Sequence, residues 1–387
     1  MAARSILQSG LPTDYYAPDF KIEIEGNPVD QTTKGDVLNV TVTMDSKNST
    51  GFALTINNWD DKKRSFKYSD SDTFFVGNHI HIQMGYAGKL LSMVRGVITS
   101  MMPSFPESGS PTIAVSGVDT FAKLRGKKPG PKDKQIFEGL KDWQIAQEVA
   151  KRNGLKFKAT EEGEPHAIVV QKDHQDELQF LKERASRIDF DCFIWVDPDT
   201  GEDVLHFVKP TDTRDARPVR VYVFEWGKSL ISFSPVLGVA DQVGAVTVRG
   251  WDAHTKQPIS YTAGIKDLPR AGAGGMSGPE IAKGKSLGGK EDFVVDRPVL
   301  SIEEARNLAM SLLRERANQY LTGSGQVIGI PDLRPGDNVE LLRLGDRFSG
   351  PPGKPLRWYV TKVVHSLGSS GYQTQFSVRL YFDGVRK

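Results

Sequence analysis

Two stretches of this chain, one near each end, alternate apolar and polar residues one by one, a period that suits strands with a single buried face. In the first, Phe20, Ile22 and Ile24 alternate with Lys21, Glu23 and Glu25, and Leu38, Val40, Val42 and Met44 with Asn39, Thr41 and Thr43. The pattern continues through Phe52, Leu54 and Ile56, then Ile80, Ile82 and Met84, then Ile113 and Val115. Turn sequences such as Gly26-Asn27-Pro28 and Tyr86-Ala87-Gly88 punctuate it. In the second, Tyr372, Thr374, Phe376, Val378 and Leu380 alternate with Gln373, Gln375, Ser377 and Arg379. Strands of this kind must curl an antiparallel sheet around a core, as a barrel or sandwich.

Between them the period becomes helical. Asp142 is placed to cap a helix bearing Ile145, Ala146, Val149 and Ala150, closed by Asn153-Gly154. Asp176 and Gln179 form a capping-box pattern before Leu178, Leu181, Ala185 and Ile188, and a strand follows at Phe190 to Val196. Strand signals return at Val219, Val221 and Val223 and at Val246 and Val248. Residues 264–290, rich in Gly, Ala, Ser and Lys, read as a mobile loop. Ser301 and Glu304 then open a helix with Ala305, Leu308, Ala309 and Leu312 on one face, stopping at Gly323. A chain of 387 residues exceeds one ordinary core. The expected fold is mainly β with an α+β insert: a first barrel at 1–120, an α/β unit at 121–208, and a second barrel from 209–263 and 325–387. A Gly-rich loop and helix at 264–324 interrupt the second barrel.

Composition excludes more than it selects. Lys and Arg number 50 against 48 Asp and Glu, so no global field draws in nucleic acid or an anionic membrane. The lone Cys192 sits in an apolar run, as expected of an inert buried thiol made in a reducing compartment. The first residues lack a signal-peptide core, and no run approaches the ~20 apolar residues of a spanning helix. Synthesis in the cytoplasm without membrane insertion is expected.

Motifs for cofactors fail on spacing. Gly284-Lys285-Ser286 imitates the end of a phosphate loop, but Pro279 stands where the first Gly belongs and no strand leads in. Gly272, Gly274 and Gly278 miss the dinucleotide spacing, with Ser277 in the third position. His79 and His81 share a strand face without the further ligand a metal shell needs, and His166, His174, His206, His254 and His365 are scattered. The carboxylate pairs Asp60-Asp61 and Glu161-Glu162 lie in turn-like, solvated surroundings. No Gly-x-Ser-x-Gly elbow follows a strand, although a serine, histidine and carboxylate can meet through the fold alone. Catalytic, cofactor and metal residues are therefore expected to be none.

The order of certain segments resembles the late control protein D family of contractile phage tails and the hub part of VgrG-type spikes. They are Phe75 to Tyr86, Val94 to Thr99 and Ile113 to Asp119, then Asp176 to Ala185, and finally Gly329 to Gly336, Tyr359 to His365 and Gly371 to Arg379. The resemblance implies two tube-like antiparallel β-barrels plus a small α/β domain in each chain. It also implies a ring-forming homotrimer that joins a sixfold tail tube to a threefold spike, as a baseplate hub in a virion or injection particle assembled in a bacterial host. Partners would be the tube protein, a separate spike protein, since the sequence ends soon after its last strand, and other baseplate proteins, with DNA or an effector passing through the channel. The rival readings are a tail-associated peptidoglycan hydrolase and a carbohydrate-binding module using tryptophans such as Trp59, Trp226 and Trp251.

Two sets of residues are candidates for an interface. Gln373, Gln375 and Arg379, with Ser377, form a strand row facing away from the barrel core, toward a channel or a neighbouring subunit. Lys127 and Lys128 belong to a basic run with Lys123, Arg125, Lys132 and Lys134, read as a solvated loop or as a rim for an acidic partner or for translocating DNA.

Overall fold

The computed structural model describes residues 4–5, 17–119, 121, 124–130, 135–196, 202–210, 213–214, 217–218, 221–252, 255–268, 278–284 and 289–380. Strands β1 (Pro18–Ile24), β2 (Val37–Asp45), β3 (Gly51–Asn57), β4 (His79–Tyr86), β5 (Lys89–Ser104) and β6 (Thr112–Asp119) form the first barrel-like unit. They pair in the order β2-β3-β6-β5-β4-β1. Its core is the apolar half of the alternation, including Ile22, Val40, Val42, Leu54, Ile56, Ile82 and Val115, all at most 1% exposed. The β4–β5 hairpin turns at Gly88, whose φ of +88° lies in the left-handed region open to glycine.

An α/β unit follows. Helices α1 (Asp142–Arg152) and α2 (Glu177–Arg187) pack with a sheet of β7 (Lys156–Ala159), β8 (Asp191–Val196) and β9 (Asp203–Val208), ordered β7-β9-β8. Asp176 caps α2 as its spacing predicts, accepting from Gln179 N. Asp142 does not cap α1. Lys141 holds that position, and Asp142, one residue inside, is buried against His166 and Arg184.

The second barrel-like unit comprises β10 (Val221–Glu225) and β11 (Leu230–Leu237) and, after an excursion, four further strands between Leu321 and Leu380. The excursion differs from the sequence reading. Residues Ala245–Asp252 (β12) and Gln257–Gly264 (β13), grouped with the second barrel by their alternation, instead pair with β14 (Glu291–Val294) in a separate sheet. Within the stretch read as a loop, residues 278–283 form a short helix, α3 (Gly278–Lys283), with Ala282 fully buried; residues 285–288 lie outside the described residues. Helix α4 (Ile302–Asn318) covers this sheet through Ala305, Leu308, Ala309 and Leu313 against Val246, Val248 and Ile259. Ser301 caps α4, but the helix ends before Gly323. Gly323 lies in β15 (Leu321–Ile328), where a side chain would strike the Phe233 ring, so close approach rather than a helix stop explains it.

With β15, β16 (Asn338–Leu342), β17 (Arg357–Gly368) and β18 (Gly371–Leu380), the second unit is ordered β10-β16-β17-β18-β15-β11. A bridge from Trp226 to Leu230 brings its ends together. Its core includes Phe224, Leu341, Trp358, Val360 and Phe376. The two units share one sheet, because the later half of β17, from Lys362 to Gly368, pairs antiparallel with β2. Beneath this seam lies a buried polar cluster. Arg334 donates to the carbonyls of Pro331 (2.5 Å), Leu333 (3.1 Å) and Ser92 (3.2 Å), and His365 faces the Tyr372 hydroxyl at 3.0 Å.

Candidate functional site

Joining β17 to β2 makes an uninterrupted run of eight strands, β11-β15-β18-β17-β2-β3-β6-β5, across both units. One face of the run is core. The other is a polar surface built from the second half of each alternation. Ile328, Gln373, Ser366, Thr41, Ala53, Ser116 and Ser100 stand opposite one another strand by strand, and form one row across the sheet. A second row runs Ser232, Gln326, Gln375, Val364, Thr43 and Gly51. A third runs Ser234, Ser324, Ser377, Lys362 and Asp45. Side-chain amides and hydroxyls tie it laterally: Gln326 Nε2 donates to Gln373 Oε1 at 2.8 Å, and Ser366 Oγ to Asn39 Oδ1 at 3.3 Å. The charged members of these rows are Asp45 and Lys362 alone.

Both ends of the run are open. Among the described residues β11 pairs along its length only with β15, apart from the single bridge of Leu230 to Trp226, and the outer half of β5, from Thr99 to Ser104, pairs only with β6. Each open edge is fringed with apolar side chains, Ile231, Val236 and Leu237 on one and Met102 and Phe105 on the other, between 45% and 60% exposed. Each also contains a proline, Pro235 and Pro103, a residue tolerated in a sheet at its edges.

The structure places Gln373, Gln375 and Ser377 on this face, as their alternation predicts. Arg379 shares the strand face but stacks its guanidinium over the Tyr359 ring, 4.6 Å from the centroid. The Tyr359 hydroxyl in turn donates to Asp191 of the α/β unit. Lys127 and Lys128 are exposed on that unit, away from these rows, and the Lys127 ammonium donates to Asn153 Oδ1 at 2.6 Å. Lys123, Lys132 and Lys134 lie outside the described residues. Of the serines and threonines of β2, β3, β6 and β11, sequence alternation marks only Thr41 and Thr43 of β2. Their alternation was visible in β2, but which strands adjoin is a long-range property.

No group of three or more His, Cys, Asp or Glu among the described residues is arranged to hold a metal ion. His79 and His81 pair instead with Glu25 (3.2 Å) and Glu23 (3.0 Å) across the strand. Burial pushes the Cys192 thiol up to about 12, which keeps it protonated and unreactive. The Asp60 carboxylate accepts from the amides of Lys62 and Lys63, which hold it below the ordinary range, and Glu161 and Glu162 are exposed. No helix among the described residues is long and apolar enough to cross a membrane.

Among solved structures, the fold is similar to a 43 kDa tail protein of prophage MuSo2 from Shewanella oneidensis, at 15% identity and a TM-score of 0.66, covering 94% of this chain and 98% of that one. A tail protein from Neisseria meningitidis gives 13% identity and a TM-score of 0.66 over 94% and 97%. An E. coli protein described as a component of the type VI secretion system gives 14% and 0.57 over 95% and 79%. No curated protein sequence matches the chain. A family model described as the Alg8 N-terminal domain matches residues 16–369.

Proposed function

We propose that this chain, which belongs to the Alg8 N-terminal domain family, is a structural hub subunit of a contractile phage-type tail or related injection machine, of the late control protein D kind. The observation that carries the reading is the eight-strand polar face with an open edge at each end. A sheet that buries one face and leaves the other mostly polar and weakly charged, with only scattered apolar members such as Ile328 and Val364, is suited to lining a channel. Polyanionic DNA adheres where cations neutralise its phosphates, and these rows offer almost none. An unfolded or folded effector protein adheres to apolar patches, which the rows also lack.

The open edges supply the route to a closed wall. β11 of one copy would pair with the outer half of β5 in the next, and three copies would complete a ring. The fringe of Ile231, Val236 and Leu237 would then be covered with Met102 and Phe105. Two similar barrel units per chain give such a trimer six barrels, which supports seating it between a sixfold tube and a threefold spike carried by a separate protein. Other baseplate proteins would surround it in the virion or particle. The role is structural, and nothing in it requires turnover.

Native mass measurement of the purified chain, alone and with the spike protein of the same particle, tests this. A trimer in at least one condition is expected, and Val236→Glu should return it to monomer. A strictly monomeric wild-type chain in both conditions overturns the reading.

A further inference from the structure

The first barrel carries a constellation that the channel reading does not use. Glu23 on β1, His81 on β4 and Ser92 on β5 stand side by side on adjacent strands. Glu23 Oε2 lies 3.0 Å from His81 Nδ1, and His81 Nε2 lies 2.9 Å from Ser92 Oγ. Register explains how they meet. Glu23 is opposite His81, and His81 is opposite Arg95. In a regular ladder Ser92, three residues from Arg95, would face the core. Instead the pairing slips: Ile82 stands opposite Val94 but Gln83 opposite Ser92, leaving Met93 as an extra residue. Met93 turns into the core at 5% exposed, and Ser92 emerges on the face of His81. Bulges of this kind re-aim side chains beside functional sites. The Ser92 carbonyl is also held, by Arg334 Nη2.

Protonation states follow from the partners. A carboxylate can only accept, and the hydrogen bond from Lys21, 2.7 Å from Glu23 Oε1, leads the effects that hold Glu23 below its ordinary range. The hydrogen between Glu23 and the ring therefore sits on His81 Nδ1. Burial, reinforced by the charges of Arg95 and Lys21 and opposed by Glu23, keeps the imidazole below its usual value, so the ring is neutral at neutral pH. Nε2 then presents a lone pair, and the Ser92 hydroxyl donates to it. Nucleophile, base and orienting carboxylate stand in the order that activates a serine.

We propose that Glu23, His81 and Ser92 form an acyl-transfer site that cleaves small carboxylic esters, with Ser92 as nucleophile, His81 as base and Glu23 as positioning residue. Ser92 Oγ bonds to the ester carbonyl carbon as its proton passes to His81 Nε2. The carbon–oxygen bond to the alcohol breaks, and the leaving oxygen takes that proton. Water repeats the sequence and releases the acid. Arg95, opposite His81, is the cation available to the developing oxyanion, and its Nε is buried without a hydrogen-bond partner. Arg95 also lines a neighbouring recess, walled by Met93, Phe193 and Trp195 together with the carboxylates Asp119 and Asp203, which Ser92 and His81 do not line. The site does not depend on the channel reading.

The test uses the full chain with p-nitrophenyl acetate and with a fluorophosphonate probe read by intact mass. One adduct, on Ser92, is expected, with ester hydrolysis rising with pH through a single ionisation below 6.5. Ser92→Ala should abolish both, and His81→Gln should lower labelling about a hundredfold. Glu23→Gln should move the midpoint of the pH profile down, because the carboxylate raises the imidazole value; a merely structural Glu23 would leave it in place. Ser92→Cys, which preserves shape, should react with iodoacetamide near neutral pH faster than the same variant combined with His81→Gln, while buried Cys192 stays silent. An unlabelled wild-type chain, labelling that survives in Ser92→Ala, or Ser92→Cys reacting no faster with His81 than without it overturns the proposal.

Discussion

Glu304 reaches from the first turn of α4 to His166 of the α/β unit, 2.8 Å from its Nδ1, while Asp142 meets the other ring nitrogen at 2.9 Å. Arg184 completes the cluster, donating to Asp142 at 2.5 Å. Burial opposes a charged ring, but the hydrogen bonds to Asp142 and Glu304 outweigh it and hold His166 at about 9. A raised value means that the stabilisation is complete below the unfolded value of about 6.5 and is lost as pH rises through 9. Both carboxylates are held below their ordinary values, so their share is lost at the acid end. His166→Gln should cost roughly 3 kcal/mol near pH 6, and the gap from wild type should narrow above pH 9. Denaturant unfolding at the two pH values measures it.

Arg334 is buried, and its donors satisfy three carbonyls drawn from both barrel units. Arg334→Met should strand those acceptors and cost roughly 3 kcal/mol. The loss should appear first as faster amide exchange along Lys362–Gly368 and β2, the strands that join the units. Exchange that quickens uniformly through the chain would contradict this role.

Arg379 is engaged within its own chain, over Tyr359. Arg379→Glu should therefore destabilise the isolated chain by about 1 to 2 kcal/mol, before any assembly, with Arg379→Lys losing less. An unchanged melting temperature in the isolated chain would contradict this role and leave Arg379 facing a channel or a neighbouring subunit.

Gly96 faces a different constraint. A Cβ there would lie 2.1 Å from the Val118 carbonyl oxygen and 2.8 Å from its carbon, both backbone of the paired strand. Gly96→Ala should cost at least about 3 kcal/mol or abolish soluble expression. Gly51→Ala, where the nearest atom is the Gly117 oxygen at 3.7 Å, is the tolerated control.

What the sequence revealed followed the range of its signals. Alternation in β1, β2, β3 and β18 assigned core and outer faces with one exception, Leu38, which is exposed because the pairing of β2 with β3 slips between Val37 and Asn39 and buries Val37 in its place; the Asp176 and Ser301 caps announced their helices. Asp142 misled because a carboxylate beside a helix start looks the same whether it caps or pairs, and its partners His166 and Arg184 are distant in sequence. Residues 245–264 misled because alternation specifies a strand and not the sheet it joins. The continuous face needed the β17–β2 pairing between residues more than 300 apart. Ser92 was hidden more deeply, since it shares a face with His81 only through the extra residue at Met93.

Pro103 and Pro235 lack an amide hydrogen, so an arbitrary strand arriving at either open edge meets an interrupted ladder. Hydrogen bonding alone then gives little reward for random association, and side-chain fit must supply the rest. The same borders that the proposed assembly would use thereby guard the isolated chain against fibrous aggregation. Replacing either proline would be expected to trade that solubility for indiscriminate stickiness.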